Sequence, residues 1–331
     1  MVAIITCAFF AAISGSSAAT AAAVGTIIIP EMLKHKYDKD FAGATVASSA
    51  ELGVIIPPSI GLIQYGVATG TSISDLFMAG FLPGIFICLV LCVVAHFLCK
   101  KQGFEPSKKA TRQEKIQAFK DAILAILMPV IILGGIYSGV FTPTEAAVIA
   151  VFYGLIVGVF VYKEIKITDV PRIVWENIRA CASIIVLIGL ANVFAYILTA
   201  ERIPQMVANS ILSITDNRIV VILLINVVLL FVGMFMESLA AILITFPVLL
   251  PVATAVGMDP VHFALMAILN LVLGLTTPPV GMCVCTGAQI GKISAFKAFR
   301  ATIPFLATSL FVLMLVSFVP QLTLWIPSIL N

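Results

Sequence analysis

Two long apolar runs of this chain are interrupted by paired prolines with glycines on either side. The interruptions are residues 53–61 (GVIIPPSIG) and 274–281 (GLTTPPVG). Proline removes a backbone donor and clashes with the preceding helical turn, and glycine loosens the backbone. In a bilayer, a broken helix persists only where it is buried in protein or lines a wet cavity. Broken helices are where transporters bind ions and substrates, so we expect one functional break in each half of the chain.

The composition is that of an integral membrane protein. Of the 331 residues, 61% are hydrophobic and 11% are charged, whereas a soluble domain carries about 25% charged residues. Apolar runs of roughly 18 residues or more recur, and that length spans a bilayer as a helix. The predicted fold class is therefore an all-α polytopic protein of the lipid bilayer. The net charge of +3 is ascribed to cytoplasmic loops and not to nucleic-acid binding, and no P-loop or GxGxxG motif indicates nucleotide use.

A helical hairpin is predicted before each break. In the first hairpin, an apolar segment over residues 1–12 and a small-residue helix over 18–33 are joined by Ser14, Gly15, Ser16 and Ser17. In the second, helices over 219–236 and 239–254 are joined by Glu237 and Ser238. Segment 1–12 is too short to span a bilayer, which predicts re-entrant hairpins. The broken helices that follow are predicted at 41–56 continuing over 59–68, and at 259–275 continuing over 280–290.

Basic residues predict the orientation of the chain. Residues 100–120 hold seven of them and are predicted to form a cytoplasmic loop, whereas the loop over 69–75 has none and is predicted to lie outside. Spans are predicted at 77–99, 122–137, 145–162, 181–199 and 299–319. Amphipathic interfacial segments are predicted at 170–179 and 202–217. The seven basic residues are Lys100, Lys101, Lys108, Lys109, Arg112, Lys115 and Lys120.

The two halves align with each other at a nearly constant offset. Five Gly and Pro residues between 53 and 70 recur 221 positions later, and the charge pattern places the two hairpins in opposite orientations. We therefore predict inverted repeats at 1–76 and 218–298, scaffold helices over 77–217, and a C-terminal scaffold helix over 299–331. A span precedes the second hairpin and none precedes the first, so we expect that the sequence lacks a matching N-terminal segment of one or two helices. The matched pairs are Gly53 with Gly274, Pro57 with Pro278, Pro58 with Pro279, Gly66 with Gly287, and Gly70 with Gly291.

Four motifs resemble the DctM-like large membrane subunit of tripartite ATP-independent periplasmic (TRAP) transporters. They are residues 14–20 (SGSSAAT), 53–59 (GVIIPPS), 141–147 (FTPTEAA) and 277–281 (TPPVG). The resemblance implies an elevator-type secondary transporter in the bacterial inner membrane. It implies sodium-coupled uptake of a small organic anion, such as a carboxylate or sialic acid. It also implies two partners, which are a small membrane subunit and a periplasmic substrate-binding protein.

Sodium ions are the expected coupling ions, and no organic cofactor is expected. Na⁺ is a hard cation, and hydroxyls together with freed backbone carbonyls can supply its oxygen ligands. Half-helix N-termini facing the same space would favour an anionic substrate. The candidate sodium and substrate residues of the first half are Ser14, Gly15, Ser16, Ser17, Gly53, Pro57, Pro58 and Ser59. Those of the second half are Glu237, Ser238, Gly274, Thr276, Thr277 and Gly281.

Structural interpretations of the same residues stay open. The prolines could form plain kinks, and Ser16 and Ser17 could pack between helices. Glu51 and Glu237 are charges at membrane depth, which indicates function, but either could cap a helix or lie at a wet interface. Glu145 follows Thr-Pro-Thr at a helix start and is interpreted as structural.

The sequence favours a transporter over other function classes. A channel usually builds its pore from symmetric rings, which two paired hairpins do not provide. An ion-coupled transporter of another class, working without a binding protein, is a further alternative. An enzyme is not expected, because His35, His96 and His262 lie in unrelated places and pair with no catalytic serine or aspartate.

Overall fold

Helices end and begin again at both predicted tips and both predicted breaks in the computed structural model, which describes residues 1–104, 111–215 and 217–330. Regular structure in that part of the chain is helical throughout. The helices are α1 Val2–Ser14, α2 Ser17–Lys34, α3 Lys39–Ser49, α4 Leu52–Ile55, α5 Ile60–Thr69, α6 Ile73–Lys101, α7 Arg112–Tyr137, α8 Pro143–Ile156, α9 Val170–Ala200, α10 Ile203–Ile214, α11 Arg218–Phe235, α12 Ser238–Ala255, α13 Pro260–Gly274, α14 Met282–Gly291, α15 Ala295–Phe318 and α16 Gln321–Leu330.

Eight helical segments of the described chain are long and apolar enough to cross a bilayer. Together with the all-helical fold, they make the chain a multi-pass membrane protein. Lys108 and Lys109 of the predicted cytoplasmic loop lie outside the described residues. The eight segments are Lys39–Thr69, Ile73–Lys101, Arg112–Tyr137, Pro143–Val161, Ile167–Ala200, Arg218–Phe235, Ser238–Ala255 and Ala295–Phe318.

The first predicted tip forms through two local backbone choices. Gly15 ends α1 with φ 63°, in the left-handed region that glycine adopts without steric cost, and its amide bonds to the carbonyl of Ala11. Ser16 then begins α2, and its side chain accepts a hydrogen bond from the amide of Ala19 at 3.4 Å. The glycine and serine of the tip thus fix where one helix stops and the next starts.

The first broken helix is interrupted earlier than the sequence predicts. A single helix over 41–56 is wrong, because α3 ends at Ser49 and a separate single turn, α4, follows over Leu52–Ile55. Between them the chain tightens: the amide of Glu51 bonds to Ser48 O at 3.4 Å and that of Gly53 bonds to Ala50 O at 2.9 Å. These three-residue bonds replace the four-residue bonds of an α-helix. Glu51 therefore lies in a turn rather than inside a helix.

One compact unit consists of Met1–Ser107 and Ile197–Asn331. Within it the two halves of the chain pack on each other in a reciprocal way: α5 lies against α12 and α13, and α14 lies against α2 and α3. Gly43 and Gly287 allow the second of these contacts, since a Cβ on Gly287 would lie 2.8 Å from Gly43 O. Helices α11 and α13 also pack closely, and α15 packs against α3, α13 and α14.

The other compact unit is Lys108–Tyr196. In it α7 and α8 pack together, and the hydroxyl of Tyr153 on α8 donates to Leu124 O on α7 at 2.7 Å. Glu145 closes a capping box with Thr142 at the start of α8, so its predicted structural role is confirmed. The predicted amphipathic segment over 170–179 and the predicted span over 181–199 form one helix. Helix α9 runs without interruption from Val170 to Ala200, because no glycine or proline interrupts it near Arg179.

A single C-terminal helix over 299–331 is wrong, because α15 ends at Phe318 and a separate helix, α16, follows over Gln321–Leu330. Helix α16 packs against α6 and α13. Its residue Thr323 is buried and bonds to the ring of His262 on α13, with 2.7 Å between Oγ1 and Nδ1. The helix therefore extends the core of the first compact unit.

Candidate functional site

The first tip lies directly against the first break. The carbonyl oxygen of Gly15 accepts a hydrogen bond from the amide of Ile60, the first residue of α5, at 3.1 Å. A Cβ on Gly15 would lie 2.9 Å from Pro58 O, and a Cβ on Gly53 would lie 2.6 Å from Ser16 O. Such distances are shorter than van der Waals contact, so only glycine fits at both positions. The structure thus brings together the tip and the break that the sequence assigned to one site.

Hydroxyl groups concentrate at this first tip. The oxygens of Ser14 and Thr20 lie 2.9 Å apart, and the Thr20 hydroxyl donates to Ser16 O at 2.8 Å. The side-chain oxygen of Ser17 is buried and has no hydrogen-bond partner. A hydroxyl that has donated its proton still has lone pairs for a cation. The tip therefore presents a cluster of oxygens without a formal negative charge.

Ser59 holds the end of the first break. Its hydroxyl donates to Val54 O at 2.5 Å and accepts from the amide of Leu62 at 3.3 Å, which caps α5. Pro57 and Pro58, joined by a cis peptide bond, form the turn between α4 and α5. The proline pair thus ends α4, and Ser59 begins α5.

The second tip lies against the second break through two glycines. A Cβ on Gly274 would clash with the backbone of Gly233, and a Cβ on Gly233 would lie 2.6 Å from Leu271 O. Beside this contact is a cavity of about 30 Å³ that is lined by both elements. A water molecule needs about 10–15 Å³ of such volume, so the cavity can hold a small ion or one or two water molecules. Its lining residues are Gly233, Met234, Phe235, Met236, Glu237, Leu275, Val280, Gly281 and Met282.

Glu237 lines this cavity, and its carboxylate caps the start of α12. It accepts from the amide of Leu239 at 2.8 Å and from the hydroxyl of Ser238 at 3.1 Å. Glu237 is exposed, so it is a helix cap that borders the cavity. Of the interpretations that the sequence left open for Glu237, helix capping agrees with its observed contacts.

The two threonines of the second break do not line the cavity. The hydroxyls of Thr276 and Thr277 both donate to Leu273 O, at 2.9 and 2.8 Å. Both residues are buried. A hydroxyl that donates a hydrogen bond keeps lone pairs that can still accept one or bind a cation.

The turn that precedes the first break packs against the second break. Ala50, just before Glu51, packs in one buried cluster with Leu275 of the second break, Cys283 of α14 and Ala21 of α2. Residues from both hairpin-and-break pairs therefore converge on one region of the first compact unit.

A profile of the family described as "Tripartite ATP-independent periplasmic transporter, DctM component" matches residues 1–322. The chain belongs to this family. The resemblance drawn from the tip and break motifs is thereby confirmed.

Individual TRAP relatives match nearly the whole chain. The sialic acid TRAP transporter large permease protein SiaM of Vibrio cholerae is 44% identical over 97% of this chain and 75% of its own length. The isethionate TRAP transporter permease protein DctMQ of Oleidesulfovibrio alaskensis is 41% identical over 97% of the chain, and the chain spans 51% of that protein. The C4-dicarboxylate TRAP transporter large permease protein DctM of Pseudomonas aeruginosa is 37% identical over 98% of the chain and 76% of its own length.

Sequence reasoning missed partners of the site in this TRAP large permease. Thr20 was noted only as part of a motif, although its position four residues after Ser16 on α2 places it one helical turn from the tip. Glu51 is buried, and Ser309 on α15 donates to it at 2.5 Å. No local signal links residues so far apart in the sequence.

A buried polar cluster of the TRAP permease joins α11, α13 and α15. The amide of Asn270 donates to Asn226 Oδ1 at 2.7 Å, and that of Asn226 donates to Ser317 Oγ at 3.1 Å. Asn226 and Asn270 thus bond to each other across two helices, as polar side chains do between packed membrane helices. The cluster fixes the register of α11 on α13, the two helices that carry the second tip and the second break.

A larger cavity of about 560 Å³ contains none of the tip or break residues. It lies among the start of α1, the end of α2, the start of α3 and the end of α6. Its lining residues are Met1, Val2, Ala3, Ile28, Glu31, Met32, His35, Tyr37, Phe41, Thr45, Ala95, His96, Cys99, Lys100 and Phe104.

Proposed function

We propose that the chain is the large membrane subunit of a sodium-coupled secondary transporter of a small organic anion. The transporter works in the bacterial inner membrane with a small membrane subunit, and a periplasmic binding protein delivers the substrate. The match to the DctM component over residues 1–322 carries this proposal. The names of three relatives support the substrate class, because sialic acid, isethionate and C4-dicarboxylates are all anions.

Two sodium sites are proposed, one at each pairing of tip and break. The first uses the oxygens of Ser14, Ser16, Ser17 and Thr20 together with carbonyls of the turn at Gly53 to Ser59. The close contact of the Gly15 carbonyl with the amide of Ile60 supports this pairing. The second uses the 30 Å³ cavity beside Glu237 and the oxygens near Thr276 and Thr277. Neutral oxygens at freed helix ends suit Na⁺, which binds reversibly during a transport cycle.

The anionic substrate is proposed to bind between the breaks, where helix N-termini converge. Helix α14 begins at Gly281 with no side-chain cap, so no side chain competes with an anion for its first amides. Its first residue, Met282, lines the small cavity.

Inverted repeats and an elevator movement are part of the proposal. The reciprocal packing of α5 on α12 and α13, and of α14 on α2 and α3, supports a two-fold relation between the halves. Helix α1 has 13 residues, fewer than the roughly 17–25 that span a bilayer. This supports a re-entrant first hairpin, which is proposed to move with the broken helices against a scaffold.

Reconstitution tests the proposal. The binding protein is first screened by thermal shift against organic acids, and its ligand is then offered to proteoliposomes that contain both membrane subunits. We expect uptake that needs the binding protein and an inward sodium gradient. Uptake without the binding protein would favour a transporter of another class, and sodium-independent equilibration would favour a channel.

A further inference from the structure

The cavity of about 560 Å³ among the ends of α1, α2, α3 and α6 has a mainly apolar wall. Ala3, Phe41 and Ala95 are buried and contribute to this wall, together with Ile28 and Met32. The volume falls within the roughly 300–1,000 Å³ of small-molecule sites. An apolar cavity holds water poorly, because water finds few hydrogen-bond partners there. The wall therefore favours an apolar ligand, or the apolar part of an amphiphile.

Aromatic rings contribute one part of the wall. Tyr37, Phe41 and Phe104 all line the cavity, and the ring centroid of Phe104 lies 4.7 Å from that of Tyr37 and 5.8 Å from that of Phe41. Tyr37 lies between the end of α2 and the start of α3. Tyrosine is enriched where a membrane protein meets the boundary of lipid and water, because its ring is apolar and its hydroxyl is polar. This part of the wall thus has the composition of a membrane interface.

The exposed residues that line the cavity give it a cationic side. His96 and Lys100 are four positions apart on α6, so they share one face of that helix. Within the described residues, Lys100 forms no ion pair with a carboxylate. The carboxylate of Glu31, which also lines the cavity, lies 2.9 Å from Lys34 Nζ and 3.5 Å from His35 Nε2. Its charge is therefore compensated by its own helix, and the charge of Lys100 is left for a ligand.

The basic residues around the cavity predict its position in the membrane. Lys34 ends α2, and Lys100 and Lys101 end α6, at the start of the predicted cytoplasmic loop over 100–120. The cytoplasmic leaflet carries anionic lipids, and basic pockets between helices on that side bind anionic lipid head groups. A cavity with an apolar wall and a cationic side at this level matches both parts of such a lipid.

We propose that this cavity binds one anionic glycerophospholipid of the cytoplasmic leaflet. An acyl chain occupies the apolar part of the cavity, and the phosphate lies at His96 and Lys100. A lysine ammonium and a phosphate form charge-assisted hydrogen bonds, which a head group without net charge forms less favourably. The proposal goes beyond the proposed function, since the cavity contains no tip or break residue and needs neither sodium nor the transported substrate.

Native mass spectrometry of the purified protein in detergent tests the proposal by counting bound lipids. The probes are dioleoyl phosphatidylglycerol, dioleoyl phosphatidylcholine and glycerol phosphate, which separate the anionic head group from the acyl chains. We expect one retained phosphatidylglycerol per protein and weaker retention of phosphatidylcholine. Equal retention of the two lipids would overturn the proposal, as would binding of glycerol phosphate as tight as that of phosphatidylglycerol. No retained phosphatidylglycerol, as when a protein segment fills the cavity, would also overturn it.

Two neighbouring lysines separate the cavity from the general charge of the surface. Lys100→Gln removes the cation that lines the cavity, and the Kd for phosphatidylglycerol should rise about fivefold, the effect of one basic residue beside anionic lipid. Lys101→Gln is the matched control, because Lys101 is exposed at the next position of α6 and is not a lining residue. Equal weakening by the two variants would assign the binding to surface charge and overturn the cavity site.

Cys99 locates the lipid without any substitution. This partly buried residue lines the cavity, whereas Cys181 is exposed on α9 and does not line it. Phosphatidylglycerol should slow the alkylation of Cys99 by N-ethylmaleimide and leave that of Cys181 unchanged, as measured by peptide mass spectrometry. Phosphatidylcholine at the same concentration should protect Cys99 less. An alkylation rate of Cys99 that does not change with phosphatidylglycerol would overturn the proposal.

Discussion

Ser309 and Glu51 are 258 positions apart in the chain, and the hydroxyl of Ser309 donates a hydrogen bond to Glu51 Oε1 at 2.5 Å. Glu51 is 1% exposed and lies inside a candidate membrane span. The bond joins α15 to the turn that precedes the first break. Because a buried carboxyl group is costly without a hydrogen-bond partner, this contact holds the turn in place.

Removing that contact should destabilise the protein. Ser309→Ala leaves the carboxyl group of Glu51 without its hydrogen-bond donor, which should cost about 1–3 kcal/mol. Thermal or denaturant unfolding in detergent measures the effect. Ser210→Ala is the control, since Ser210 is exposed and its hydroxyl donates to the carbonyl of Met206, one turn earlier on α10. Equal stability of the two variants would contradict the structural role of Ser309.

Adding a methyl group between the first tip and the first break should reduce both the stability of the protein and its transport activity. In Gly53→Ala the new methyl group would lie 2.6 Å from Ser16 O and 2.7 Å from Thr20 Oγ1, so the tip must move. We expect a destabilisation of about 1–3 kcal/mol, as for other overpacked sites, and a loss of uptake. Gly134→Ala on α7 is the matched control, because nothing lies within 4 Å of its Cβ position. If Gly53→Ala took up substrate at the wild-type rate, the close contact at Gly53 would not be needed for transport.

Thr277→Val tests the second ion site. The variant keeps the side-chain volume and removes a hydroxyl that bonds to Leu273 O at 2.8 Å. If that oxygen also helps to hold sodium, the sodium concentration for half-maximal uptake should rise roughly tenfold, as expected for a lost polar partner of about 1–3 kcal/mol. Capture of substrate by the separate binding protein should not change.

Thr45→Val is the matched control for this experiment. Thr45 is buried on α3 and bonds to Phe41 O at the same distance of 2.8 Å, but it belongs to neither break. Its sodium dependence should stay that of the wild type. A similar shift in both variants would assign the effect to helix stability rather than to ion binding.

The orientation of α6 can be tested with two cysteines. Thr71 precedes this 29-residue helix and Gln102 follows it, and 29 residues extend about 44 Å, more than the roughly 30 Å of the hydrocarbon core. In a background with Cys99 and Cys181 replaced by alanine, an impermeant maleimide should label Thr71→Cys only from outside and Gln102→Cys only from the cytoplasm. The basic residues Lys100 and Lys101 give this direction. The opposite labelling pattern would reverse the predicted topology.

Local chemistry was sufficient to place the tips and breaks. Gly15 at φ 63° and Ser16 as a helix cap produce the first tip, and the proline pairs end α4 and separate α13 from α14, as their missing donors require. Gly53 and Gly274, which are 221 residues apart, each lie in close contact with the hairpin of their own half. Membrane insertion followed from composition alone. These features depend on residues within a few positions of each other, which is why the sequence determined them.

Contacts between distant segments were decided only by the tertiary structure. The turn at Glu51 and the bond from Ser309 have no local signal. A sequence shows that Gln64 is polar, but only packing shows that its amide is buried without a partner. Burial and hydrogen bonding depend on which helices meet, and that choice is made by the whole core rather than by any one stretch of the chain.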